Sequence, residues 1–251
     1  ISVVESGEDS HIHTAALMFG VPKEVLEYEA KLVGTNSDSD TISAIRSSEP
    51  LVDRFSSYLP RTMSGRQCGK KSNHGLNYDE GPNRFALINE VDQVEAKRII
   101  TAYHHIYPGI RLYYESVKRQ LQKDRSLTNY FGRKVRFMAA WDTELWKAAY
   151  SMLPQSTVVD SLNIGMVKIY NDAWLCRELD IDLLAQVHDS ILMQVPIPIV
   201  NNAQTFDRAR EQMYNYVSPE IKYNERSFKI ATDMKIGMNW GGGNKGNPLG
   251  M

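Results

Sequence analysis

Apolar positions recur along this chain in two rhythms, and the switch between them divides it. A three-to-four residue spacing predicts short helices over Thr14–Phe19 and Lys23–Leu32. The stretch from Gly34 to Pro50 is rich in Ser, Asp and Thr and reads as a long exposed loop or insertion. Helical spacing resumes over Leu51–Leu59. It returns from Thr62 to about Asp79, entered from Pro60 with Thr62 or Ser64 as the cap. Val91–Tyr107 is amphipathic and stops before Pro108, and Gly109 to about Asp124 follows as another helix.

Beyond residue 127 strands join the helices. Leu127–Phe131 and Lys134–Met138 around Gly132 read as a short hairpin. Asp142 to about Leu179 is a long helical segment with a kink expected at Pro154. Ile181–Val195 reads as strand–turn–strand, Asn202–Tyr216 as a helix and Phe228–Met238 as a last strand, with Trp240–Met251 expected to be loose. The fold class is therefore α+β: a helical part, residues 1–127, followed by a sheet-bearing part, residues 128–251.

Bulk composition alters this picture little. A hydrophobic fraction of 42% and a charged fraction of 24% in 251 residues are those of a globular chain with a sizeable core. No apolar run approaches the roughly 20 residues that span a bilayer. Two cysteines cannot form a disulfide framework, which points to a reducing, cytoplasmic setting. The net charge of −1 gives no hint of nucleic acid. Between Lys118 and Arg136, however, seven cations face only Asp124. That run fits either a solvated face or a surface that follows a phosphate backbone.

Two segments concentrate chemistry. Arg66, Lys70, His74 and Tyr78 are four apart, which on a helix makes one stripe rising about 6 Å per step. Two cations one turn apart suit neighbouring phosphates of a triphosphate, and the two rings beyond them offer flat surfaces to a sugar and base. An ordinary exposed face would look the same by spacing alone. Gly75 inside this helix costs about 1 kcal/mol relative to Ala, so it calls for a close approach by something else. The second segment is Leu183–Val195, where apolar strands flank His188-Asp189-Ser190 and push Asp189 to a hairpin tip. A carboxylate there could hold a divalent cation, or simply make a turn. His11 and His13 stand two apart with no further ligands nearby, so they are not read as a metal pair.

The strings themselves are more specific than their spacing. Arg66-x3-Lys70-x7-Tyr78, with Asn73-x-Gly75 between, resembles the fingers helix of family A (DNA polymerase I-like) DNA polymerases. NHGLNYDEGPNRFA and the closing ATDMKIGMNWG look like the phage branch of that family. His188-Asp189 resembles its palm motif, Leu153-Pro-Gln155 its minor-groove helix, Gly132-Arg133 its post-fingers hairpin, and Asp9–Gly20 its approach to the fingers. The resemblance implies fingers over residues 1–127 and a C-terminal palm over 128–251 of the polymerase right hand. It implies Asp189 as metal ligand and catalytic residue, and Lys70 as catalytic. Arg66, Lys70, His74 and Tyr78 would bind nucleotide, and His188, Gln155 and Arg133 would bind DNA. The cofactor would be Mg2+, two ions in the complete enzyme. The partners would be a DNA primer-template and deoxynucleoside triphosphates, with no membrane and with accessory replication proteins undefined.

Three departures stand against the pattern: His74 where an aromatic Phe or Tyr is usual, Asp79 where Gly is usual, and Ser190 where Glu is usual. The family's first metal-binding aspartate lies in a D-x-x-x-x-E-x-R setting upstream of the Asp9 segment, and no such string occurs in the sequence. Glu5, Glu8 and Asp9 match the fingers approach and are read as structural. The expectation is a partial polymerase chain that is inactive by itself. Two other readings remain: a single-subunit phage-type RNA polymerase fragment, and a non-catalytic nucleic-acid-binding module.

Overall fold

The computed structural model describes residues 8–223, 225–243 and 246–251. Glu5 lies outside them. The chain forms two compact units. One holds the described residues as far as Leu127 together with Val135–Ser151; the other holds Thr128–Lys134 and Met152–Met251. The sequence pattern suggests a single cut at 127, whereas here residues 135–151 return to the first unit.

The first unit is helical. Helix α1 spans Ser10–Phe19 and is capped by Asp9, whose side chain accepts from the His11 and Ile12 amides. Helix α2 spans Lys23–Val33. The segment expected to be a loop instead carries helix α3, Ser39–Ser47. Its many short polar residues are cap and solvent-face chemistry: Asp38 accepts from the Thr41 amide, Ile42 is buried, and Arg46 reaches inward. Leu51–Leu59 is not one helix but a short α4, Pro50–Asp53, followed by a 3-10 turn at Ser56–Tyr58. Helix α5, Gly65–Leu76, is capped by Ser64, one of the two residues expected there.

Helix α6, Pro82–Asn89, is additional to the elements expected from sequence; its Pro at the first position after Gly81 is the signal that marks it. Helices α7, Gln93–Ile106, and α8, Pro108–Asp124, complete the set. Met18, Met63, Cys68, Leu76, Phe85, Ile99 and Tyr103 form one core cluster around α5. Ile12, Ala15, Val25, Leu26, Val52 and Leu59 form another beneath α1 and α2.

Strands β1, Ser126–Thr128, and β2, Lys134–Arg136, pair as a hairpin shorter than expected. Helix α9, Thr143–Asn171, runs on from there with Pro154 inside it, and a π-helical turn follows at Trp174–Glu178.

In the second unit β3, Asp182–Val187, pairs antiparallel with β4, Ser190–Gln194. Helices α10, Ile197–Asn201, and α11, Ala203–Val217, follow. Ala209 and Met213 of α11 pack with Ile169, Leu175, Leu179 and Ile181 in the core of this unit. Strands β5, Glu220–Tyr223, and β6, Arg226–Lys229, pair with each other. Strand β5 is thus additional to the expected elements, and the last strand ends at Lys229 rather than Met238. The terminal segment is tied back among the described residues, with Met238 N donating to Leu249 O at 2.7 Å and Gly243 N to Met251 O at 3.0 Å.

Candidate functional site

Helix α5 presents the predicted stripe because its other face is committed to the core. Gly65, Cys68, Gly69, Ser72 and Leu76 are buried, which leaves Arg66, Lys70 and His74 on the open side. Tyr78 lies in the turn just beyond the helix and meets His74 edge to face, with ring centroids 5.3 Å apart. Gly69 sits where α1 crosses: a Cβ there would collide with the His11 carbonyl oxygen, so only glycine permits this approach. Gly75 is explained differently from a base or backbone approach, because the Glu80 side chain folds back over it. Burial pushes the Glu80 carboxyl up despite the Arg84 charge 3.1 Å away.

The helix is held at both ends. At its start Glu29 Oε2 accepts the Gly65 amide at 3.0 Å, and Glu29 Oε1 meets Arg46 Nη2 at 2.6 Å. Arg46 also donates to the Pro60 and Met63 carbonyls at 2.7 and 3.0 Å, so both buried charges are fully engaged. At its end the Tyr114 hydroxyl donates to Leu76 O at 2.6 Å and accepts from the Asp79 amide at 2.8 Å. Asp79 has φ 61°, the left-handed conformation that glycine adopts most easily, so the bond its amide donates to Tyr114 helps hold an aspartate where Gly is usual.

Sequence reasoning passes over the residues that surround the stripe. Asp9 Oδ2 accepts from Arg66 Nε at 2.6 Å. Burial works to raise the Asp9 carboxyl, but hydrogen bonds from Arg66, Ile12 and His11 hold it below its usual range. Asn73 Nδ2 lies 3.1 Å from His11 Nδ1 and donates to Ser10 O at 3.2 Å, while Asn73 Oδ1 accepts from the Thr14 hydroxyl at 2.8 Å. Burial and the Arg66 and Lys70 charges push His11 down, against the opposing pull of Asp9. The neutral form of His11 is thus favoured beside the Arg66 and Lys70 charges. Its place is legible from the Asp-x-His run only with a helix-crossing point in view. Glu8 pairs with Lys23 and lies 3.7 Å from His13 Nδ1. Glu8 and Asp9 thus have structural partners, and His11 and His13 face different groups.

In the second unit Asp189 occupies the two-residue turn between β3 and β4, exposed as expected, beside His188 at φ 55°. Ser190 Oγ donates to Val187 O at 2.8 Å, which tightens the same turn. Asp189 also lines a cleft of about 1370 Å³ together with Met193, Phe206, Asp233 and Met238. An exposed carboxylate on a hydrogen-bonded hairpin has the donor chemistry a hard divalent cation takes. Among the described residues no three His, Cys, Asp or Glu side chains converge as a metal cluster. Asp189 could serve as a single carboxylate ligand of a divalent cation.

Gln155 is exposed on α9. Arg133 is not a free cation: its Nε donates to Asp160 Oδ1 and Oδ2 at 3.0 and 2.8 Å, and Asn129 Nδ2 joins the same carboxylate at 2.6 Å. Arg133, with Asn129, holds the Asp160 carboxyl below its usual range although burial opposes them. In the first unit Arg125 is likewise internal to the basic run. It donates to Phe137 O at 2.8 Å and lies 4.2 Å from the centre of the Trp141 ring.

The sequence profile of DNA polymerase family A matches residues 57–242, a span that holds Arg66, Lys70, Tyr78 and Asp189. The chain belongs to DNA polymerase family A. Thermostable DNA polymerase I of Thermus thermophilus is 25% identical over 203 residues, covering 78% of this chain and 20% of the relative. The Thermus aquaticus enzyme is 22% identical over 247 residues, covering 96% and 24%. This family A chain thus spans about a fifth to a quarter of the length of those relatives. Among solved structures, the POL domain of Pol1 from M. smegmatis, in complex with DNA primer-template and dNTP, matches with a TM-score of 0.60 at 21% identity. That match covers 86% of this chain and 32% of the other, and it shows the shared fold.

Proposed function

We propose that this family A chain forms the fingers and C-terminal palm of a template-directed DNA polymerase of the phage-type branch, working by two-metal nucleotidyl transfer. One observation carries the reading. A single helix, anchored at both ends, turns Arg66, Lys70 and His74 outward on one face, and Tyr78 follows in the next turn. Two fixed cations one turn apart match the charge spacing of a triphosphate. They cost little reorganisation because the helix is already held. His74 and Tyr78, in edge-to-face contact, lie further along as the surface for the sugar and base.

In this reading Asp189 is the metal-holding carboxylate of the palm, His188 and Gln155 meet DNA, and the partners are a primer-template and deoxynucleoside triphosphates. Mg2+ bound there would neutralise the phosphate charge that develops during transfer. Asp189 supplies one of the two carboxylates such a clamp needs, so the 251-residue chain alone is expected not to extend a primer. Arg133, engaged by Asp160, serves first to hold its hairpin.

The test is primer extension by the full protein. Asp189→Ala should abolish extension with Mg2+ while leaving primer-template binding nearly intact. Retention of more than a few per cent of activity would sink the assignment of Asp189. Preference for ribonucleotides over deoxyribonucleotides would favour the RNA polymerase reading instead.

A further inference from the structure

Asp9 divides its carboxylate between two helices. Oδ1 accepts the His11 and Ile12 amides at 2.8 and 3.2 Å, which caps α1, while Oδ2 takes the Nε of Arg66 on α5. The ion pair is single-pointed. Among the described residues neither terminal amino group of Arg66 has a hydrogen-bond partner, and the side chain keeps 41% of its surface. A guanidinium binds phosphate best as a fork of two parallel donors, and its many rotamers make that fork costly to orient. A clamp at Nε removes most of that freedom from behind. The same cap fixes where α1 begins, so the clamp is set by the crossing of α1 and α5 at Gly69.

We propose that Asp9 is a positioning residue that presents the terminal amino groups of Arg66 to the triphosphate of the incoming nucleotide. The proposal rests on the reading of Arg66 as a triphosphate-binding cation. Asp9 touches no substrate; it acts through Arg66. The alternative, that Asp9 competes with the phosphates for the same cation, gives the opposite sign in the experiment below.

The substitution Asp9→Asn separates the two roles of the side chain. Asparagine caps a helix as well as aspartate, so α1 is kept, but its amide nitrogen cannot accept from Nε. The measurement is the dissociation constant of dATP opposite a template thymine on the full protein, from single-turnover extension, with primer-template affinity recorded in parallel. Asp9→Asn should weaken triphosphate binding about five- to tenfold and leave the saturated rate and primer-template affinity unchanged. Asp9→Ser, which also caps but carries no carboxylate, should show the same loss. In an Arg66→Ala background Asp9→Asn should add nothing, which a purely structural role would not produce. Unchanged or tighter triphosphate binding in Asp9→Asn with Arg66→Ala impaired overturns this proposal alone. Unimpaired binding in Arg66→Ala overturns it together with the reading beneath it.

Discussion

The guanidinium of Arg46 and the carboxylate of Glu29 meet 2.6 Å apart where neither has appreciable access to water. The pair joins α3, α2 and the first amide of α5, so a helix in the supposed loop helps seat the stripe. Arg46→Ala would leave Glu29 buried and unpaired, at about 3–5 kcal/mol of stability. Burial already holds the Glu29 carboxyl above its ordinary value of 4.5, and losing Arg46 lifts it further. A raised carboxyl favours the folded state most below pH 4.5, and that contribution is lost as pH rises through the folded-state value. Urea unfolding should therefore show a deficit that is large at pH 7 and shrinks on acidification. A deficit independent of pH would rule out this cause.

Gly69 and Gly75, six residues apart on one helix, should differ in their tolerance of alanine. At Gly69 the new methyl meets the backbone of His11, which cannot move alone, and overpacking costs about 1–3 kcal/mol. At Gly75 it meets the flexible end of Glu80, and alanine recovers about 1 kcal/mol of helix propensity. Denaturant midpoints of the two variants should fall clearly for Gly69→Ala and stay near wild type for Gly75→Ala.

Arg133→Ala should read as a stability variant before it reads as a DNA-binding one. Half-exposed Arg133 is screened by solvent, but Asp160 is nearly buried and would keep only Asn129, so a measurable loss of stability is expected. The depressed Asp160 carboxyl stabilises above its ordinary value of 3.8, and that contribution is lost as pH falls through the lower folded-state value. Thermal melts between about pH 7 and about pH 2 should show a gap between wild type and variant that closes only at the acid end.

The basic run between Lys118 and Arg136 now divides. Neutralising Lys123 and Arg136 together should flatten the salt dependence of primer-template binding by up to about 0.9 for each duplex phosphate left without its cation. Neutralising Arg125, which holds carbonyls and an indole, should lower stability instead. An unchanged slope in the first variant would return those two cations to a solvated face.

Much of this is legible in the sequence where a local rule and a core-facing rhythm agree. Ser64 announces α5, Pro108 separates α7 from α8, and two apolar runs bracket Asp189. Failures come where one signal outweighs a weaker, correct one. The Ser and Asp content of residues 34–50 hides a cap at Asp38 and a helix whose anchor is a buried arginine, a residue type that seldom lies inside. The motif around Tyr78 draws notice away from Gly81-Pro82, which opens α6. Strand β5 is four residues long, too short for alternation to declare itself. The partners of Arg133 and Arg66 lie 27 and 57 positions away, where periodicity carries no information.

The cysteine beneath the stripe gives α5 a built-in clock. Cys68 has no exposed surface, its Sγ lies 3.0 Å from Asn89 Oδ1, and burial pushes its thiol up to about 12. Folded, it offers an alkylating reagent neither access nor thiolate. Any labelling must wait for the core around Cys68 to open, so its rate times the release of the helix that carries Arg66 and Lys70. With Cys176 replaced by alanine, that opening can be followed at one sulfur, with and without a triphosphate present, and no turnover is needed.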